Sequence, residues 1–99
     1  MKRLEKSIEG AVVRYAKDKY KGESVKLNGI GKRSHPDRMF LGPYRTVLFI
    51  EFKREGEEPT PLQRHLHKRW WRMFQHKVHV CDDVVQGKKL IDEFYRKRR

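Results

Sequence analysis

The chain is short of cysteine, of acidic residues and of long apolar runs, and each shortage excludes something. A single cysteine, Cys81, rules out an intramolecular disulfide and suits a reducing compartment. No stretch is long and apolar enough to read as a membrane span, and no signal-peptide pattern follows the basic N-terminus. No CxxC or HxxxH pair completes a zinc site around His76, His79 and Cys81, and His65 and His67 cannot share a helical face. There is no internal repeat and no low-complexity segment. Acidic residues number 13 against 25 lysines and arginines, a formal net charge of +12. That imbalance calls for a polyanionic partner, with nucleic acid ahead of an anionic membrane surface.

What remains is enough for one small domain over residues 1–99, with 36% hydrophobic residues to build a sheet and its helices. At this size dimerisation often supplements the core. Leu4, Ile8, Val12, Tyr15 and Ala16 recur at helical spacing and predict an amphipathic helix over residues 3–20, ended by Gly22. Ser24 to Ile30 alternates weakly as a first strand. Arg38 to Leu41 and Thr46 to Lys53 read as a hairpin around the turn Gly42-Pro43-Tyr44-Arg45.

Thr60-Pro61-Leu62-Gln63 carries a helix start, with Thr60 as cap and Gln63 where a capping-box partner stands. That helix is expected to run to about His76, with Leu62, Leu66, Trp70 and Met73 on one stripe. Trp70 is assigned to the core, and Trp71 is left for an interface. Val78 to Cys81 reads as a short strand. Asp83 caps a last helix packed by Val84, Leu90, Ile91 and Phe94, in which Gly87 suggests a kink or a late start. The predicted order is α-β-β-β-α-β-α.

The uncharged run Thr46-Val47-Leu48-Phe49-Ile50 leads directly into Glu51-Phe52-Lys53. Ionic groups at the end of a buried strand cost several kcal/mol each unless they find partners. If the turn is centred on Tyr44, Asp37 of the Pro36-Asp37 pair lies opposite Glu51, their Cβ atoms roughly 5 Å apart. Two carboxylates that close repel unless a cation sits between them or one is protonated. The bland alternative is an exposed Glu51–Lys53 pair with Asp37 as a turn residue.

Pro36-Asp37 followed by Glu51-Phe52-Lys53, with Glu9 in the first helix and Gln63 in the helix after the strand, resembles the VRR-NUC family of the PD-(D/E)XK nuclease superfamily, in particular its small stand-alone phage and bacterial members. The resemblance covers roughly Leu4 to Tyr95. It implies a restriction-endonuclease-like α/β fold, a mixed sheet flanked by helices, with active residues along one edge of the sheet surface. It implies a divalent-metal-dependent DNA endonuclease, using Mg²⁺ or Mn²⁺, acting as a homodimer on branched DNA such as four-way junctions. The expected setting is the cytoplasm of a prokaryote or phage-infected host.

On that resemblance Asp37, Glu51 and the Phe52 carbonyl hold the metal. Lys53 orients or deprotonates the attacking water. Glu9 binds metal through water, holds a second ion or orients Lys53. Gln63 holds water or phosphate, unless its side chain turns back to cap Thr60. Lys32, Arg33, Arg64, His67, Lys68 and Arg72 are the expected nucleic-acid contacts; a charged, solvated helix face is the bland reading of the last four. A non-catalytic basic nucleic-acid-binding module accounts equally well for the charge, though not for the carboxylates.

Overall fold

The computed structural model describes residues 2–27 and 35–97. The expected contacts Lys32 and Arg33, and the second half of the expected first strand, lie outside them. Helix α1 (Glu5–Tyr20) closes on Lys21 in the left-handed region, whose N–H reaches the carbonyls of Ala16 and Lys17. Strands β1 (Ser24–Lys26), β2 (Arg38–Leu41), β3 (Val47–Phe52) and β4 (Val78–Cys81) form one sheet in that spatial order. Its first two pairings are antiparallel and the third is parallel. Helix α2 (Pro61–Phe74) joins β3 to β4, and α3 (Val84–Arg96) follows β4. The element order is the one the sequence predicts.

The β2–β3 register also follows the sequence. Arg38 pairs with Ile50, Met39 with Phe49, Phe40 with Leu48 and Leu41 with Val47, all symmetric about Tyr44. Continued one step further, the same register puts Asp37 opposite Glu51. Alternation along β3 then divides the molecule. Leu48, Ile50 and Phe52 join Ile8, Val12 and Ala16 of α1 and Ile91, Phe94 and Tyr95 of α3 in the core. Phe49 and Glu51 point to the other face, where α2 lies.

The two outer helices of the core meet at Gly87. A Cβ built there would lie 2.5 Å from Val12 Cγ2 and 3.0 Å from Cys81 Sγ. Gly87 therefore sits inside an unbroken α3 and marks a close helix approach, where the sequence suggested a kink or late start.

Helix α2 departs furthest from expectation. Both halves of its capping box are present, but it ends at Phe74 and none of its residues is buried. Leu62 is 63% exposed and Met73 55%, so the apolar stripe is not a core stripe. Trp70 is half-buried, its ring edge-on to Phe49 (centroids 5.1 Å) and His35 (5.8 Å). In so short a chain one helix pair, α1 and α3, already fills the core face. The periodicity of α2 reports a side turned toward the sheet, while Leu62, Trp71, Met73 and Phe74 stay exposed.

Candidate active site

Burial puts ionic groups at the end of β3 in an environment few side chains tolerate. Glu51 is 1% exposed and Asp37 6%. Asp37 Oδ2 accepts a 2.6 Å hydrogen bond from the Phe52 backbone N–H, which ties the residue before β2 to the end of β3. Glu51 Oε1 lies 3.0 Å from His67 Nε2 on α2. Glu51 Oε2 is 3.6 Å from Lys53 Nζ, and it is buried with no hydrogen-bond partner among the described residues. The structure thus brings Asp37, Glu51 and Lys53 together and adds His67, which the sequence assigned to DNA rather than to a carboxylate.

The electrostatics follow from the packing. Burial pushes the Asp37 carboxyl up to about 6 from its ordinary 3.8, against the lowering effect of the Phe52 N–H; Glu5, Glu9 and Glu51 add to the rise. Glu5 is likewise raised, by burial first, with Lys53 opposing and Glu9, Glu57 and Glu51 adding. Glu5 was missed in the sequence. Its spacing of four from Glu9 on one face of α1 is the signal that points to it.

Glu9 is held elsewhere. Its Oε2 accepts a 2.7 Å bond from Arg38 Nε, and Arg38 also bonds Ser24 Oγ at 3.2 Å. Glu9 therefore faces the core side of the hairpin, paired with a cation that the sequence reading did not single out. Gln63 closes the capping box, its Oε1 accepting from the Thr60 N–H at 2.9 Å while Thr60 Oγ1 accepts from the Gln63 N–H at 3.2 Å. Of the expected DNA contacts on α2, Arg64, Lys68 and Arg72 are exposed, Arg64 pairing with Glu58 at 2.9 Å.

The donor set suits a hard divalent cation. Two buried carboxylates face each other across a hairpin, one oxygen without a hydrogen bond among the described residues and one pKa raised by burial first, with nearby carboxylates adding. No three His, Cys, Asp or Glu side chains among the described residues converge to hold an ion unaided. Magnesium-type coordination needs no such cage, since it takes one or two carboxylates and completes itself with water, carbonyl and phosphate oxygens. Asp37 and Glu51 are the side chains that could contribute to such coordination.

No protein-family model matches the sequence. The chain is 37% identical over 78 residues to "Putative nuclease p44" of Acyrthosiphon pisum secondary endosymbiont phage 1, covering 79% of this chain and 82% of that protein. A solved structure described as a VRR_NUC domain superposes with a TM-score of 0.68 at 32% identity, covering 89% of this chain and 98% of that one. No helix among the described residues is long and apolar enough to cross a membrane. Identity above 30% across 82% of one relative and 98% of the other leads to one assignment: the chain belongs to the VRR-NUC family.

Proposed function

We propose that this protein is a divalent-metal-dependent DNA endonuclease that hydrolyses phosphodiester bonds, acting as a homodimer on branched DNA such as four-way junctions. The observation that carries the reading is Glu51 Oε2, buried beside Asp37 with no hydrogen bond among the described residues. A module that only bound nucleic acid would gain nothing from such a group, whose desolvation opposes folding. The relatives support the nuclease part of the reading: one is named a nuclease of a phage, and the other is named for a nuclease domain.

Bound Mg²⁺ or Mn²⁺ would polarise the scissile phosphate and lower the pKa of a coordinated water. The chain's own contribution is positional. Asp37 is fixed by the Phe52 N–H, and Glu51 by His67. Lys53, 13% exposed at its side chain, holds an ammonium 3.6 Å from Glu51 Oε2, where it can orient the attacking water and offset charge growing on the phosphate. Glu5 and Glu9 keep the neighbourhood negative, which favours a cation over an extra proton donor. Gln63, with its oxygen committed to Thr60, has only its amide nitrogen to offer a phosphate.

Arg64, Lys68 and Arg72 lie exposed on α2 and would track the backbone. The homodimer reading rests on Trp71 and Phe74, both exposed and three residues apart on α2, where they are neighbours on the helix surface. The test is incubation of labelled four-way junction, duplex, single-stranded DNA and RNA, with Mg²⁺, Mn²⁺ or EDTA. Metal-dependent internal cleavage of junctions supports the proposal. Binding without cleavage under every metal condition would replace it with the non-catalytic module.

A further inference from the structure

At the far end of the same hairpin the backbone is held in a conformation its residues do not favour. Tyr44 and Arg45 both have positive φ, 55° and 65°. The Thr46 N–H closes the turn onto the Pro43 carbonyl at 3.1 Å, and the Gly42 N–H bonds the Thr46 carbonyl at 2.9 Å. This is the type I′ arrangement, whose two central positions belong by preference to Asn and Gly. A bulky aromatic in the left-handed region is a local cost, and it persists where the side chain is needed.

The ring does not recover that cost by packing. Tyr44 is 87% exposed, the most exposed large hydrophobic side chain among the described residues. It rims an open cleft whose other walls are Tyr20, Lys21, Gly22, Glu23, Leu41, Pro43 and Tyr95, so that one lysine and one glutamate line it. The back of the cleft is rigid: Tyr20 and Tyr95 stack at 5.2 Å, and the Tyr95 hydroxyl donates to the Leu41 carbonyl at 3.0 Å. Lys21 lines the cleft, and Arg45, exposed, follows Tyr44 in the turn.

We infer that this cleft is a subsite for an unpaired nucleobase of the bound nucleic acid, with Tyr44 as its stacking platform and Lys21 and Arg45 on the flanking phosphates. An exposed aromatic with basic residues close by in a chain of net charge +12 matches how proteins hold single-stranded nucleotides, where each base–aromatic stack is sequence-tolerant. A membrane surface would call for several apolar side chains together, and the tip offers one ring. The subsite rests on the nucleic-acid part of the function proposed above and takes what DNA with a single-stranded arm has and intact duplex lacks, an unpaired base. Tyr44 is seven residues from both Asp37 and Glu51, roughly 20 Å along the strands.

The experiment is a 2-aminopurine scan. The fluorescent base is placed at successive positions in the single-stranded arm of a flap, and the full chain is added in EDTA so that no cleavage intervenes. One position should quench on wild-type protein and on Tyr44→Phe, which keeps the ring. Tyr44→Asn, which suits the left-handed backbone, should lose the quench, bind branched DNA about 10-fold more weakly, bind intact duplex within about two-fold of wild type, and melt no lower. Quenching by Tyr44→Asn equal to wild type overturns the inference. Cleavage with no effect of Tyr44→Asn on binding overturns the subsite alone and leaves the nuclease standing. A Tyr44-dependent quench in a protein that cuts nothing supports the subsite and removes the nuclease.

Discussion

Asp37 lies near Glu5 and Glu9 in the first half of α1, Asp92 against Tyr15, Lys19 and Tyr20 in its second half, and the two have met opposite fates. Asp92 on α3 accepts hydrogen bonds from the Tyr20 hydroxyl at 2.6 Å, the Tyr15 hydroxyl at 2.8 Å and Lys19 Nζ at 3.2 Å. Those partners, the Tyr20 hydroxyl foremost, hold its carboxyl at about 2. Asp37 is buried near three other carboxylates, and its carboxyl rises to about 6. The first group clasps α1 to α3 and gains from being charged. The second is charged at neutral pH against the preference of its surroundings. Beside it, Glu51 Oε2 is buried without a hydrogen bond among the described residues, and in the proposed function that oxygen is the one left for a cation.

The sharpest way to break this comparison is to neutralise each site in turn. Asp37→Asn or Glu51→Gln should abolish cleavage, with a loss of at least about 10²-fold, while DNA binding through α2 persists. Lys53→Met should leave metal affinity near wild type and slow the chemical step by about 10²-fold, measured in single turnover. Asp92→Asn should leave the chemical step within about two-fold. Equal cleavage by all four variants would show that the two aspartates differ in surroundings only.

Stability should move the other way. The Asp37 carboxyl is raised in the folded state, so folding takes up a proton between its two pKa values. The stabilisation this gives is full below about 4 and is lost as pH rises through about 6. Above that the metal-free protein bears a penalty of about 2–3 kcal/mol, which Asp37→Asn removes while keeping an oxygen for the Phe52 N–H. At pH 8 in EDTA, Asp37→Asn should therefore be harder to unfold in urea than wild type, and Mg²⁺ should stabilise the wild type more than the variant.

Asp92 has the reverse sign: its contribution is present above about 4 and lost as pH falls toward 2. With the side chain 22% exposed, solvent screening holds it to about 1 kcal/mol. Asp92→Ala should cost about 1–2 kcal/mol, because two tyrosine hydroxyls lose their acceptor. A stabilised Asp92→Ala or a destabilised Asp37→Asn would invert the comparison. The smallest effect belongs to the helix surface: Lys68→Gln should reduce the slope of log K against log salt by about 0.9 on duplex DNA, with no change in unfolding.

How much of this could be read from the letters depends on how far each interaction reaches along the chain. The hairpin register was legible because a turn centred on Tyr44 fixes every pair by symmetry, and with it the Asp37–Glu51 apposition. The caps Thr60 and Asp83 were legible because each partner is three residues away. The Asp92 clasp was not, since Tyr15 lies 77 residues off and no local pattern records it. Nor was the Arg38–Glu9 pair, which depends on where α1 crosses the sheet. The α2 stripe was read correctly as one-sided and wrongly as buried, because periodicity gives a direction without saying whether the space there is already filled.

Gly87 has a consequence for how this sequence can change over time. With Val12 Cγ2 2.5 Å and Cys81 Sγ 3.0 Å from where its side chain would begin, positions 12, 81 and 87 share one volume and cannot drift independently. A relative carrying alanine at position 87 should carry a smaller residue at position 12 or 81. In this chain Gly87→Ala alone should be destabilising, while Val12→Ala with Gly87→Ala recovers part of the loss. Three residues from three separate elements then behave, for mutation and selection, as a single inherited character.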